Sequence, residues 1–417
     1  MSRGPLLAAA LVVTLAVSGA PAAPDIGALS AELARVRELP FLRAVPTATR
    51  SADEARAEMR ALVDEMLPDA EAPARSAMLA ELELLPRDYP LKESLLELLS
   101  EQVAGYYNTR TRQLTVVDLP AEATKGLPEW ADEAVLAHEL DHALTDQHFD
   151  LARLIDDPAL RPRDDLLTAR HALAEGDALL AMMLLAARRQ GLTIDAKTLP
   201  PSGALRLAIE ADTLSSYPRL AGAPAWVRAS LVEPYVLGLD HVSAAWRRGG
   251  WKAVDLLWRR PPNSTEQLLH PERAGDEPVL VAPPALAPGW RVESAMELGE
   301  AGLRLWLAPR LGAEGAASAA AGWDGDRLAL LSEPGGAQRV VLRTAWDSPA
   351  EADEFAATAE AWLRAAKLDA LDGRAAWQVA RSGATVDVEM LAGAGIPPEP
   401  EIPVEQLEPE PEFPELR

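Results

Sequence analysis

Apolar positions follow a helical rhythm over most of the first 260 residues. In residues 131–149, Ala131, Val135, His138, His142, Thr145 and Phe149 recur at alternating steps of four and three, the spacing of one helix stripe. Pro128 and Glu129 suit its first turn, where a missing N–H costs nothing and a negative charge is favourable. A second long helix is predicted from about Asp164 to Gln190. Asp164 and Asp165 cap its start after Pro162, Arg188 and Arg189 suit its negative end, and Gly191 stops it. Residues 25–104 read as about three or four amphipathic helices broken at Pro40, Pro46, Pro68 and Pro86–Pro90. The last of them, LKESLLELLSEQVAG, ends at Gly105.

The period then changes. YYNTRTRQLTVVD places turn residues at Asn108–Thr111 and β-formers at Gln113–Val117, a short hairpin or edge strand directly before the helix at 131–149. Further helices follow over 203–258, with Trp226, Trp246, Trp251 and Trp258 as core candidates. A Pro-rich stretch at 283–289 reads as a linker. Beyond it, helical segments (294–311 and 349–366) mix with strand-like runs (326–332, 338–346 and 384–391), an α+β pattern. Residues 394–417 are mostly Pro and Glu and bury too little apolar surface to fold, so a disordered acidic tail is expected there.

Composition narrows the function classes. A net charge of −24 makes nucleic acid and anionic membrane surfaces poor partners. The absence of cysteine excludes disulfides, thiolate ligands, a thiol nucleophile and a lipid-bearing N-terminal cysteine. Arg3, the apolar run Leu6–Val17 and the small residues 18–22 form a secretory signal, with Ala20 and Ala22 placing the cut after residue 22. No later segment has about twenty uninterrupted apolar residues. The mature chain is therefore expected to be secreted or periplasmic, with no stable membrane insertion. The organisation read here is a signal peptide at 1–22, a helical domain at 23–282, a linker at 283–289, an α+β domain at 290–393 and a tail at 394–417.

The candidate chemistry sits on the helix at 131–149. Histidine is scarce, six in 417 residues, yet two stand four apart in His138-Glu139-Leu140-Asp141-His142. That spacing points both imidazoles at one metal ion, with Glu139 beside it and free of it: the HExxH pattern of zinc peptidases. A catalytic zinc takes three protein ligands and leaves one position open. Glu175, in Leu173-Ala174-Glu175-Gly176-Asp177-Ala178, is the best third ligand, because an unpaired carboxylate in so apolar a helix needs a cation. Gly176 beside it allows close helix approach.

HExxH on one helix with a glutamate from a later helix resembles the gluzincin branch of zinc metallopeptidases. EQVAGYYNTRTRQLTVVD, VLAHELDHALTDQHFD and ALAEGDALL together look like secreted bacterial zincin-like proteins of the peptidase-MA kind, and PPNSTEQLLHPER is similar to part of that group. The resemblance covers residues 100–190 and implies a predominantly helical α+β fold. That fold is a zincin-like catalytic domain with short edge strands and the HExxH helix, followed by a smaller α+β domain. It implies a secreted peptidase, endopeptidase rather than exopeptidase, with one Zn²⁺ on His138, His142 and Glu175, a metal-activated water, Glu139 as general base and a peptide or protein substrate. The hairpin strand before the HExxH helix would border the cleft and pair with extended substrate. Oxyanion donors would be His270 or Tyr235, and His171, one turn before Glu175, could reach the site. His148 and His241 read as structural or solvated.

One position departs from the family pattern. The aspartate that thermolysin-like enzymes carry four residues after the ligand glutamate is Leu179 here, which leaves Asp177, Asp141 or Asp146 to support a histidine. The competing readings are a catalytically weak or inactive zincin-like binding protein, a structural zinc site and a di-iron bundle. The last needs two Glu-x-x-His motifs and finds one. Oligomeric state, cleavage specificity and any pro-segment role of the N-terminal helices leave no sequence signal.

Overall fold

The computed structural model describes residues 25–102, 104–118, 131–283, 286–334, 336–365 and 375–392. The signal peptide, the expected helix start at Pro128–Glu129 and the acidic tail lie outside them. Local signals start the first elements. Asp25 caps α1 (Ile26–Arg37), accepting from Ala28 N at 3.0 Å. Strand β1 (Thr47–Ser51) runs into α2 (Ala52–Met66) through a capping box: Ser51 Oγ accepts from Glu54 N, and Glu54 Oε2 accepts from Ser51 N at 2.8 Å. Helices α3 (Ala72–Glu81) and α4 (Leu91–Gln102) follow.

The predicted hairpin is present as β2 (Gly105–Asn108) and β3 (Gln113–Asp118). Asn108 Oδ1 accepts from the N–H groups of Arg110 and Thr111, the local bonding that lets asparagine make a turn. Strand β1 adds a parallel partner to β3, giving a small sheet in the order β1-β3-β2 with β2 at an edge. TATRS has no apolar alternation, so β1 carries no strand signal in the sequence.

Both long helices form as expected: α5 (Ala131–Phe149), then, after the short α6 (Leu151–Ile155), α7 (Asp164–Arg189). The helical body is completed by α8 (Ser202–Ser216), α9 (Pro218–Gly222), α10 (Ala225–Gly249), α11 (Trp251–Arg259) and α12 (Thr265–Leu269). The C-terminal unit is β4 (Arg291–Met296), α13 (Gly299–Ala320), β5 (Trp323–Ser332), β6 (Gln338–Trp346), α14 (Pro349–Ala365), β7 (Ala375–Ser382) and β8 (Thr385–Ala392). Its strands form an antiparallel sheet in the order β4-β5-β6-β8-β7. Helix 294–311 is corrected at its start, since Ser294–Met296 pair with β5 as strand and the helix begins only at Gly299. No described helix is long and apolar enough to cross a membrane.

The Pro-rich stretch joins two units that are packed together. One apolar cluster runs from Leu29 and Leu33 of α1 through the helical body to Val388 and Met390 of β8. The junction is also polar. Asp165, in the first turn of α7, accepts from Thr265 N (3.0 Å) and Oγ1 (2.7 Å), and Asp164 accepts from Glu297 N at 3.1 Å. Thr265 Oγ1 in turn accepts from Ala301 N across the junction at 3.1 Å, and within the C-terminal unit Asp326 accepts from Leu298 N and Gly299 N, both at 2.8 Å. The C-terminal unit thus holds the start of the helix that carries Glu175.

Glu266 is buried at this junction, with Oε1 unbonded and Arg273 3.8 Å away. Burial pushes its pKa up to about 8 against the pull of Arg273, with Asp347, Glu300 and Asp276 adding to the rise. A raised folded-state pKa means the folded chain keeps a proton that the unfolded chain releases. Stability is then lost as pH climbs from the ordinary carboxylate range towards about 8. Glu266→Gln is expected to melt a few degrees above wild type at about pH 8 and to lose that advantage near pH 4. Equal pH slopes for the two proteins would show that Glu266 ionises freely.

Candidate metal centre

Helices α5 and α7 pack antiparallel: Arg189 at the end of α7 pairs with Glu133 at the start of α5, and Glu175 meets the middle of α5. That alignment delivers three donor atoms to one point. His138 Nε2 lies 3.0 Å from Glu175 Oε2, His142 Nε2 lies 3.1 Å from His138 Nε2, and His142 Nε2 lies 3.6 Å from Glu175 Oε2. All three residues are buried. A tetrahedral zinc with ligand bonds of about 2.0–2.1 Å holds its donor atoms about 3.3 Å apart. The observed separations bracket that value, so the residues fit such an ion.

Electrostatics within the triad agree with a shared cation. Burial raises Glu175, but His142 and His138 overcome it and hold the carboxyl below its ordinary range. Burial lowers His142, yet Glu175, Glu139 and Asp141 push its pKa up to about 9. A protein that buries two imidazoles beside three carboxylates has built a place for positive charge.

Glu139 is fully buried next to the triad, and its nearest ligating atoms lie within 4.8 Å of those of His138 and His142. The N–H of Tyr107, on the outer edge of β2, donates to Glu139 Oε2 at 2.7 Å. Oε1 is sealed and has no partner, leaving one oriented oxygen free to accept a proton. Burial raises this carboxyl, while His142 and His138 hold it down. The Tyr107 hydroxyl donates to Asp146 at 2.8 Å, fixing the hairpin on α5.

Tyr235 is brought to the site from α10. Its ring lies over His138, with centroids 6.2 Å apart and planes 25° apart. Its hydroxyl is sealed beside the Glu175 carboxylate, and burial, with Glu175 and Glu139 close by, holds the proton on it. Two glycines make this approach possible. A Cβ on Gly238 of α10 would stand 1.8 Å from Ala172 O, and one on Gly176 would stand 2.2 Å from the Gly238 backbone. Only bare backbones let α10 lie this close to α7.

His270 is a correction. The structure does not bring it to the triad. Its Nε2 faces Glu300 at 3.0 Å and Arg304 at 3.0 Å, at the start of α13, and Nδ1 faces Glu272 at 3.6 Å. An ion network across the junction satisfies this ring, so it is not an oxyanion donor. His148 bonds Pro40 O at 2.7 Å, and His241 is buried on α10 with its pKa pushed down to about 4 by burial.

The expected carboxylate support for the histidines is also absent among the described residues. Asp177 is taken by Arg37 and Trp258, Asp146 by Tyr107 and Leu151 N, and both Asp141 oxygens are unbonded. His138 Nδ1 is sealed without a partner. Arg37 and the Tyr107 N–H were missed in the sequence. The first sits 140 residues from its partner, and the second is a backbone group with no residue signature.

Comparison with known proteins bears on the other end of the chain. Residues 290–392 match the model of a domain of unknown function, DUF8575. Its span coincides with the five-stranded sheet and its helices. No curated protein and no solved structure matches the chain.

Proposed function

We propose that this chain is a secreted or periplasmic zinc-dependent peptidase of the gluzincin type. The observation that carries the reading is the convergence of His138 Nε2, His142 Nε2 and Glu175 Oε2 to 3.0–3.6 Å, beside a buried glutamate with one free oxygen. His138, His142 and Glu175 would hold Zn²⁺, which when bound activates water and polarises a carbonyl.

This chain's own residues do the rest. The Tyr107 N–H holds Glu139 by Oε2, and the unpartnered Oε1 takes the proton of the attacking water and passes it to the leaving amine. Tyr235 keeps its hydroxyl proton and offers it to the developing oxyanion. Burial of the whole set excludes bulk water and strengthens each of these contacts. A binding protein without turnover has no use for the free Glu139 oxygen.

Metal analysis of the mature chain should give one zinc per protein, and Glu175→Ala should lose most of it. Unchanged zinc in Glu175→Ala would remove Glu175 from the site. A zinc-loaded chain that cleaves no member of a peptide library would favour the binding protein instead.

A further inference from the structure

His171 stands on α7 one turn before Glu175 and therefore on the same face of the helix. Because α5 and α7 run antiparallel, a step back along α7 from Glu175 is a step past His142 towards the end of α5. Further along the same direction Arg170 donates to Leu154 O of α6, just past the end of α5, at 3.1 Å. His171 thus borders the triad on the side where the β2–β3 turn comes down, with Thr109 bonded to Asp156. Glu175, His142 and Asp156 all act on its charge state.

The ring is buried and its tautomer is fixed. Nδ1 lies 2.7 Å from Leu167 O, and a carbonyl only accepts, so Nδ1 carries the proton. Burial keeps the imidazole below its ordinary basicity. Nε2 is then a lone pair. It bonds no described residue and is not among the sealed polar atoms, so it opens on accessible space.

On the reading that this is a peptidase, a peptide strand beside the outer edge of β2 points alternate N–H groups at β2 and away from it. Those pointing away need an acceptor on the opposite wall. We propose that His171 Nε2 is that acceptor, bonding one backbone N–H of the bound substrate. The substrate class is thereby narrowed to extended chains whose amides carry an N–H beside the scissile bond. Secondary amides bind with this contact, whereas depsipeptides and N-methylated chains lose it. His171 is in this role a positioning residue that touches substrate.

The test uses the zinc-loaded full mature chain and a set of peptide hydroxamates, each N-methylated at one backbone amide, with binding read by calorimetry. In wild type one of the methylated compounds should bind about tenfold more weakly than its parent, the worth of one hydrogen bond between neutral groups. In His171→Ala that penalty should vanish, while methylation at the other positions costs the same in both proteins. His171→Phe, which keeps the ring volume without nitrogen, should behave as His171→Ala and serves if the smaller side chain unfolds the helix. Equal penalties at every position in wild type and variant would overturn the role of His171 and leave the peptidase reading standing. A wild-type chain that takes up no zinc would overturn both.

Discussion

Glu139→Gln should retain the fold and the zinc and lose hydrolysis by about 10²–10⁴-fold, the contribution of a positioned general base. Glutamine can present its carbonyl oxygen to the Tyr107 N–H, so the contact at 2.7 Å survives. The amide nitrogen then stands where the free oxygen stood. It donates and cannot take a proton from water. Stability should not fall, because the substitution removes a carboxyl that burial already pushes towards its neutral form. Turnover, zinc content and melting temperature measured on one preparation separate the possibilities. Wild-type turnover in this variant would sink the mechanism, and lost zinc would mean that Glu139 is itself a ligand.

Arg37→Ala is expected to cost about 3–5 kcal/mol of folding stability, the range for breaking one partner out of a buried ion pair. Arg37 is fully buried. Its Nε and Nη2 grip the two oxygens of Asp177 at 2.7 and 3.0 Å, Nη2 also reaches Asp255 at 2.8 Å, and the guanidinium lies 4.3 Å from the Trp251 ring centre. Without it Asp177 keeps only the Trp258 indole N–H, at 2.6 Å, and the unbonded Asp141 carboxyl nearby loses the attraction of Arg37 and keeps only that of His142. Denaturant unfolding of the wild type and Arg37→Ala would measure this cost, and Arg37→Met, Asp177→Leu and their double variant would show the coupling, with the double variant recovering much of the loss. A cost under about 1 kcal/mol would instead mark the pair as solvated. The same clamp bears on the N-terminal helices. Arg37 ends α1 and locks it to the helix that carries Glu175.

The two long helices, the hairpin and the triad His138, His142 and Glu175 were legible in the sequence. Each rests on spacing within one element, and helical period, cap residues and a lone carboxylate in an apolar stripe are local signals. Tyr235 was named as a candidate, but the reason it reaches His138 is the contact of Gly176 with Gly238, which exists only once two helices have packed. His270 shows the opposite. Its segment looked catalytic, yet Glu300 and Arg304, thirty and thirty-four residues on, take up its ring across the junction. Edge strands β1 and β4 were missed because TATRS and RVESAM lack clean alternation and are held by partners far along the chain; β7, AAWQVARS, was missed although it pairs with β8 across a two-residue turn. The sequence by itself determined the long helices, the hairpin and the residue types of the candidate triad, because these depend on neighbours within a few turns. Only the tertiary structure decided which polar groups face the site, since burial and ion pairing couple residues that no local pattern connects.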